Sequence, residues 1–246
     1  MLYIKEVNIP KPEKGWAGRF PFSVPLFANG FNFEFNKSVT IIAGENASGK
    51  STFLESLAVS AGFPRQGGFC GQSMLRKSWG MNSFGDTIEV DFDNLTLAES
   101  MRISWAQKPA RGYFFRSEFM SETMNLHWNA RDLMTQSHGE GILDLIRNSF
   151  QDGLFILDEP ESALSPTSLL ALVALVHQNA KTFNAQYIIV THSPILMGIP
   201  DADFCWIGDG KMQRMHYTHS PHFSISKSFF DNPARMIDMV TTQTSS

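Results

Sequence analysis

Val39-Thr40-Ile41-Ile42-Ala43-Gly44-Glu45-Asn46-Ala47-Ser48-Gly49-Lys50-Ser51-Thr52 is the stretch that decides the fold. Its first five residues form a strand-like apolar run, Gly44 to Ser51 spell G-x-x-x-x-G-K-S, and Ser51 to Ala61 has helix-like composition. A strand, a glycine-rich turn and a helix N-terminus surround one concavity with backbone N–H groups, whose dipoles favour anionic phosphates. Lys50 is then expected to reach the β- and γ-phosphates of a nucleoside triphosphate. Ser51 is expected to ligate Mg²⁺, and Gly44, Glu45, Asn46, Ala47, Ser48, Gly49 and Thr52 to line the same loop.

A second stretch completes the chemistry. Leu154-Phe155-Ile156-Leu157-Asp158-Glu159 is an apolar strand ending in two carboxylates. A buried strand carries Asp158 to the carboxyl edge of a sheet, where it can hold Mg²⁺, usually through water. Glu159 can then take the proton of the water that attacks the γ-phosphate, a task that needs a carboxylate because the acceptor is already anionic. Downstream, Tyr187-Ile188-Ile189-Val190-Thr191 is another strand-like run, ending in His192-Ser193-Pro194. An imidazole there can donate to a phosphate and orient a general base.

The continuation Pro160-Glu161-Ser162-Ala163-Leu164 makes a family visible. Asp158 to Leu164 resembles the Walker B strand and D-loop of the ATP-binding cassette (ABC) ATPases, and His192 resembles their switch histidine. The resemblance implies that His192 contacts the γ-phosphate and helps organise the attacking water. It also implies a signature loop acting on the nucleotide of a second subunit. The matching place is Gln136-Ser137-His138-Gly139-Glu140, where Ser137 and the Gly139 N–H would face that γ-phosphate; otherwise Ser137 is a simple helix cap. His138 and Glu140 depart from the usual Leu-Ser-Gly-Gly-Gln. They resemble the form in stand-alone, soluble ABC-class ATPases of the AAA-family type rather than in transporter subunits. Ser165 stands where an aspartate often follows the D-loop, a departure that would weaken communication across a dimer.

Other assignments rest on less. Gln107 ends a strand-like run between the phosphate loop and the signature segment, where the family's Q-loop glutamine contacts Mg²⁺; it also fits an ordinary surface glutamine. Trp16, Phe20 or Phe22 would stack on adenine, unless they are core. His216, His219 and His222 recur at intervals of three, but Pro221 and its surroundings read as a polar loop rather than converging metal ligands. Arg102, Lys108, Arg111 and Arg116 fit either a basic face for nucleic acid or an acidic partner, or solvated strand edges.

Composition sets the bounds. At 246 residues and 43% hydrophobic, with only 18% charged, the chain can bury a large core and is not extensively disordered. Its net charge of −4 excludes a nucleic-acid footprint dominating the whole surface. Cys70 and Cys205 lie far apart, with neither a disulfide framework nor a zinc spacing. The N-terminus lacks signal-peptide architecture, and no apolar run approaches the roughly 20 residues that span a bilayer. A cytoplasmic protein is expected, any membrane role coming through a partner.

Strand-like runs at Leu2–Ile9, Phe31–Phe35, Val39–Ala43, Thr87–Phe92, Ser100–Ala106 and Gly112–Arg116 precede helix-like segments at 119–133 and 141–150. The last third then alternates strand and helix, as a sheet covered on both faces requires, and Thr241–Ser246 reads as a polar tail. The expected fold class is α/β, a single P-loop NTPase domain of ABC-ATPase type over 1–246. It would have a three-layer core, an antiparallel β subdomain, a helical subdomain and an inserted arm or lid at about 62–136. The expected activity is Mg²⁺-dependent ATP hydrolysis with head-to-tail homodimerisation on ATP, acting as a switch on a partner effector or nucleic acid. The rivals are the energising subunit of a membrane transporter and a P-loop kinase. No long heptad run interrupts the cassette, unlike the repair and chromosome-condensing ATPases with coiled coils.

Overall fold

The structure, a computed structural model, describes residues 1–70, 97–119, 143, 146–147 and 151–243. Its strands are β1 (Ile4–Ile9), β2 (Phe31–Glu34), β3 (Val39–Gly44), β4 (Gly68–Phe69), β5 (Arg102–Trp105), β6 (Gly112–Arg116), β7 (Gly153–Asp158), β8 (Ala185–Val190), β9 (Asp203–Gly208) and β10 (Lys211–Arg214). Its helices are α1 (Lys50–Ser60), α2 (Pro166–Thr182), α3 (Pro194–Met197), α4 (Pro221–Asp231) and α5 (Pro233–Gln243).

β3, β7 and β8 are buried at every position. Strands without a polar face need cover on both sides, and these lie at the centre of a seven-stranded sheet of order β10-β9-β3-β8-β7-β6-β4. The strands from β9 to β6 run parallel, while β10 and β4 close the edges antiparallel. Period-two alternation divides each strand between two cores. Phe155, Leu157, Tyr187 and Ile189 meet Leu169, Leu172 and Val176 of α2. Leu154, Ile156, Ile188 and Val190 meet Phe53, Leu54 and Leu57 of α1, together with Ile4, Val7 and Ile9 of β1. β1 belongs to a second, antiparallel sheet of order β2-β1-β5. The layers are therefore α2, the large sheet, and α1 with the small sheet, which is the mixed α/β architecture expected.

The two sheets are tied by a buried amide. Gln186 Oε1 accepts from the backbone N–H groups of Tyr3 and Ile4, each at 2.8 Å, and its Nε2 donates to Ile4 O at 3.0 Å. Gln186→Leu is expected to strand those N–H groups without water. The cost is about 3 kcal/mol, or roughly 10 °C in Tm, read by thermal denaturation. An unchanged Tm would show that the bond does not hold the sheets together.

Three expectations change. The segment expected as an arm is not one insertion over its whole length, because β5 completes the small sheet and β6 pairs with β7 in the large one. Its remainder, 71–96 and from 120 on, lies outside the described residues, as do the strand expected at Thr87–Phe92 and most of the helix-like segments. Finally, the loop expected around Pro221 is helical from that residue on, and of the tail expected at Thr241–Ser246 the part up to Gln243 belongs to α5, the rest lying outside the described residues. Ser220 Oγ accepts from Phe223 N at 3.3 Å, and Pro221 takes the first helical position, where its missing N–H costs nothing. α4 and α5 leave an exposed apolar groove lined by Ile225, Phe229, Phe230, Met236, Ile237 and Val240. No helix among the described residues is long and apolar enough to cross a membrane.

Candidate functional site

Sheet register sets up the site. Ile42 pairs with Val190, Val190 with Asp158, and Asp158 with Arg116, so one line of residues crosses four parallel strands. The residues just beyond that line are Gly44 with its loop, His192, Glu159 and Glu118. β8 and β9, consecutive in sequence, flank β3 on opposite sides. That switch point at the strands' carboxyl ends is where open α/β sheets form a ligand crevice.

The loop geometry needs its glycines. A Cβ on Gly44 would lie 2.4 Å from Ile207 O, and Gly49 caps α1 at φ 95°, a left-handed conformation. Glu45, Asn46 and Ala47 are exposed at the rim, while Ser48, Ser51 and Thr52 are half-buried. Lys50 is only 5% exposed. Its Nζ donates to Gly44 O at 2.9 Å and Glu45 O at 2.6 Å, curling back over the loop. Burial lowers the pKa of this ammonium, opposed by the charges of Glu159, Asp158 and Glu45. Those opposing charges bring loop and carboxylates into one field.

Asp158 is buried, and burial pushes its carboxyl up to about 7; Arg116 works against this, while Glu159, Glu118 and Glu55 add to it. Its Oδ1 finds no hydrogen-bond partner among the described residues. Glu159 stands at φ 47°, left-handed for a residue with a side chain, and its N–H donates to Val190 O at 3.0 Å. That turn aims its carboxylate across the strand ends, where Oε1 lies 3.4 Å from His192 Nε2. Glu161 Oε1 accepts from His192 N at 2.6 Å, fixing the backbone that carries the imidazole. Ser165 caps α2, accepting from Ser168 N at 3.2 Å, so it serves the capping role open to aspartate at that place.

Gln107 is elsewhere. It interacts with Tyr3, whose hydroxyl donates to Asn184 O at 3.0 Å, just before β8 begins. β8 has six residues, so Gln107 lies roughly 20 Å from the edge that carries His192. The run that delivers Gln107 pairs with β1 in the small sheet and not with the parallel strands. Of the aromatic candidates, Phe22 is core, whereas Trp16 and Phe20 are exposed. They belong to a segment whose Val24 and Phe27 pack on Gly49. Ser137, His138, Gly139 and Glu140 lie outside the described residues.

Two residues were missed. Arg116, which by sequence fits either a basic face or a solvated strand edge, is half-buried at the end of β6. It pairs with Glu55 at 3.0 Å and Glu118 at 3.1 Å, and its Nε is 4.0 Å from Asp158 Oδ2. Glu118 lies just past that strand end. The available signal was an arginine closing the apolar run Tyr113-Phe114-Phe115, a position that half-buries it. Arg116→Ala takes one of two cations from Glu55, which keeps Arg65, and the near one from Asp158, and is expected to destabilise by about 3 kcal/mol in urea unfolding. Glu55→Gln in that background is expected to recover part of the loss; no recovery would mean that packing, not charge, is at stake. His222 is the second, 5.1 Å from His192 between ring centroids. The three-residue histidine spacing concealed it, since no group of three metal-ligating side chains exists among the described residues.

Residues 23–138 match the family model described as AAA domain, AAA_23. No curated protein matches the sequence. Solved structures of similar fold include the head domain of an SMC protein from Thermotoga maritima, at 14% identity and TM-score 0.44, covering 87% of this chain and 99% of that one. Another is an ABC transporter in an inward-facing conformation, at 15% identity and TM-score 0.45, covering 92% and 88%. A third is an SMC head bound to the C-winged helix domain of ScpA, at 11% identity and TM-score 0.41, covering 87% and 97%. At such low identity the chemistry rests on this chain's own residues. The matched segment, a little under half of the chain, holds the entire phosphate loop and the strand that carries it to the crevice, so this part of the chain is similar to an AAA domain.

Proposed function

We propose that the chain binds ATP with Mg²⁺ on the Gly44 to Thr52 loop, hydrolyses it, and uses the cycle to close and reopen a head-to-tail pair of copies. One observation carries the hydrolytic reading: the register line from Ile42 through Val190 to Asp158, beyond which Lys50, Glu159 and His192 share a single edge. Loop N–H groups and Lys50 would bind the phosphates. Glu159 would accept the proton of the attacking water, and His192 would hold that water and the γ-phosphate in line.

The donor set suits a hard cation, since Asp158 Oδ1 is buried without a partner among the described residues and Ser51 offers a hydroxyl on the first turn of α1. Ser51 and Asp158 would hold Mg²⁺, which when bound neutralises charge across the β- and γ-phosphate oxygens. Gln107 is too distant to join them.

Closure rests on the sequence of Ser137-His138-Gly139-Glu140, a loop suited to cover the γ-phosphate bound by a second copy. The pair then acts as a switch on a partner protein or nucleic acid in the cytoplasm. The test is twofold. Wild-type protein should release phosphate from ATP only with Mg²⁺, and the Glu159→Gln protein with saturating ATP should double its mass in light scattering. A monomer under those conditions removes closure, and an absence of phosphate release removes hydrolysis.

A further inference from the structure

His222 lies at the nucleotide site although it stands 30 residues beyond His192 in the sequence. Its ring faces that of His192 at 5.1 Å between centroids and 33° between planes. On another side the edge of Trp206 meets it at 4.9 Å and 85°. Trp206 is buried in β9, so the His222 imidazole is held between a core indole and the switch histidine. The helix that carries it is fixed as well. Ser220 is fully buried, donates to Tyr217 O at 2.7 Å and caps α4, while Tyr217 meets Phe223 edge-on at 5.2 Å.

Burial lowers the pKa of His222, and the charges of His192 and Lys50 lower it further against an opposing Glu45. A neutral ring is the form that stacks on another imidazole without repulsion, and its Nδ1 is buried with no hydrogen-bond partner among the described residues. The ring thus gives the His192 side chain a second contact beside Glu159. His192 itself is held by Glu161 only through its backbone, and its side chain meets Glu159 at 3.4 Å. Two contacts define the plane of an imidazole better than one.

We propose that His222 is a positioning residue for ATP hydrolysis, setting the orientation of the His192 imidazole by stacking against it from the first turn of α4. The inference rests on the proposed role of His192 as the group that orders the attacking water. Since the ring of His222 stacks on His192, its removal acts on turnover more than on ATP capture.

Steady-state hydrolysis by the full-length His222→Ala, His222→Phe, His192→Ala and doubly substituted His192→Ala/His222→Ala proteins tests this. His222→Ala is expected to lose about tenfold in kcat with KM for ATP within about twofold, since a reacting group misplaced by less than 1 Å costs on that order. His222→Phe, which keeps a flat ring, is expected to restore kcat to within about threefold of wild type. The double variant is expected to be no slower than His192→Ala alone, because His222 has nothing left to position. Losses that multiply in the double variant, or a Phe variant as slow as the Ala variant, overturn the proposal. Should His222→Ala not fold, His222→Leu, which fills the space without a flat ring, replaces it both alone and in the His192→Ala background, with the same expected outcomes. If His192→Ala itself turns over as fast as wild type, the underlying role of His192 fails instead, which separates the two ideas.

Discussion

Glu159→Gln is expected to slow ATP turnover by about 10³-fold while leaving ATP binding within a few-fold of wild type, since general-base catalysis contributes 10² to 10⁴. The substitution keeps size and hydrogen-bonding reach but removes the basic lone pair. Among the described residues, geometry favours this carboxylate. The Glu159 carboxylate is the group that the left-handed turn at φ 47° delivers to His192, whereas Asp158 faces Arg116 and the interior. Glu159 is half-exposed, so its loss disturbs little packing, and melting temperature is expected to stay within about 2 °C, as for surface substitutions. Single-turnover phosphate release alongside equilibrium nucleotide binding separates the two effects. Near wild-type turnover would transfer the base role to another carboxylate, with Glu118 the first to examine.

Lys50→Ala is expected to remove ATP binding as well as turnover, with kcat/KM falling by at least about 10³-fold, the scale of losing a charged group aimed at transferring phosphate. Its ammonium is buried and spends its hydrogen bonds on Gly44 O and Glu45 O, a state readily exchanged for phosphate oxygens. In a desolvated site each charge interaction is worth more than in water. The same burial lowers the pKa of Lys50, so the charge is held against its solvation preference. Lys50→Met, which keeps the buried stem without the charge, is therefore expected to leave thermal stability equal to or above wild type while ATP binding is lost. Isothermal titration with ATP and a thermal melt give both numbers; a variant that binds ATP normally would end the phosphate role of this residue.

How much was legible can be judged from particular residues. The loop at Gly44 to Ser51 and the pair Asp158-Glu159 were readable because their chemistry depends on neighbours in the chain. A glycine-rich turn between an apolar strand and a helix forms its N–H cup locally, and a carboxylate after an unbroken apolar run lies at a strand end wherever that strand goes. Gln107 shows the limit. It ends a strand, as a Q-loop glutamine should, but its strand pairs with β1 in the other sheet. Alternation of residues discloses a strand and not its neighbours. Pro221 misled for a related reason, since a proline that interrupts a helix elsewhere starts one here once Ser220 caps it.

The sequence alone determined the phosphate loop, the strands buried on both faces, and the expectation of a triphosphate at their carboxyl ends. These follow from local sterics and from the two-residue and helical periodicities, which one chain segment contains in full. Only the tertiary structure decided that Arg116 reaches Asp158, that Gln107 faces the opposite edge, and that His222 stacks on His192. Those contacts join residues 30 or more apart in the chain, or separate sheets, and they are fixed by strand order and core packing, which no single segment encodes.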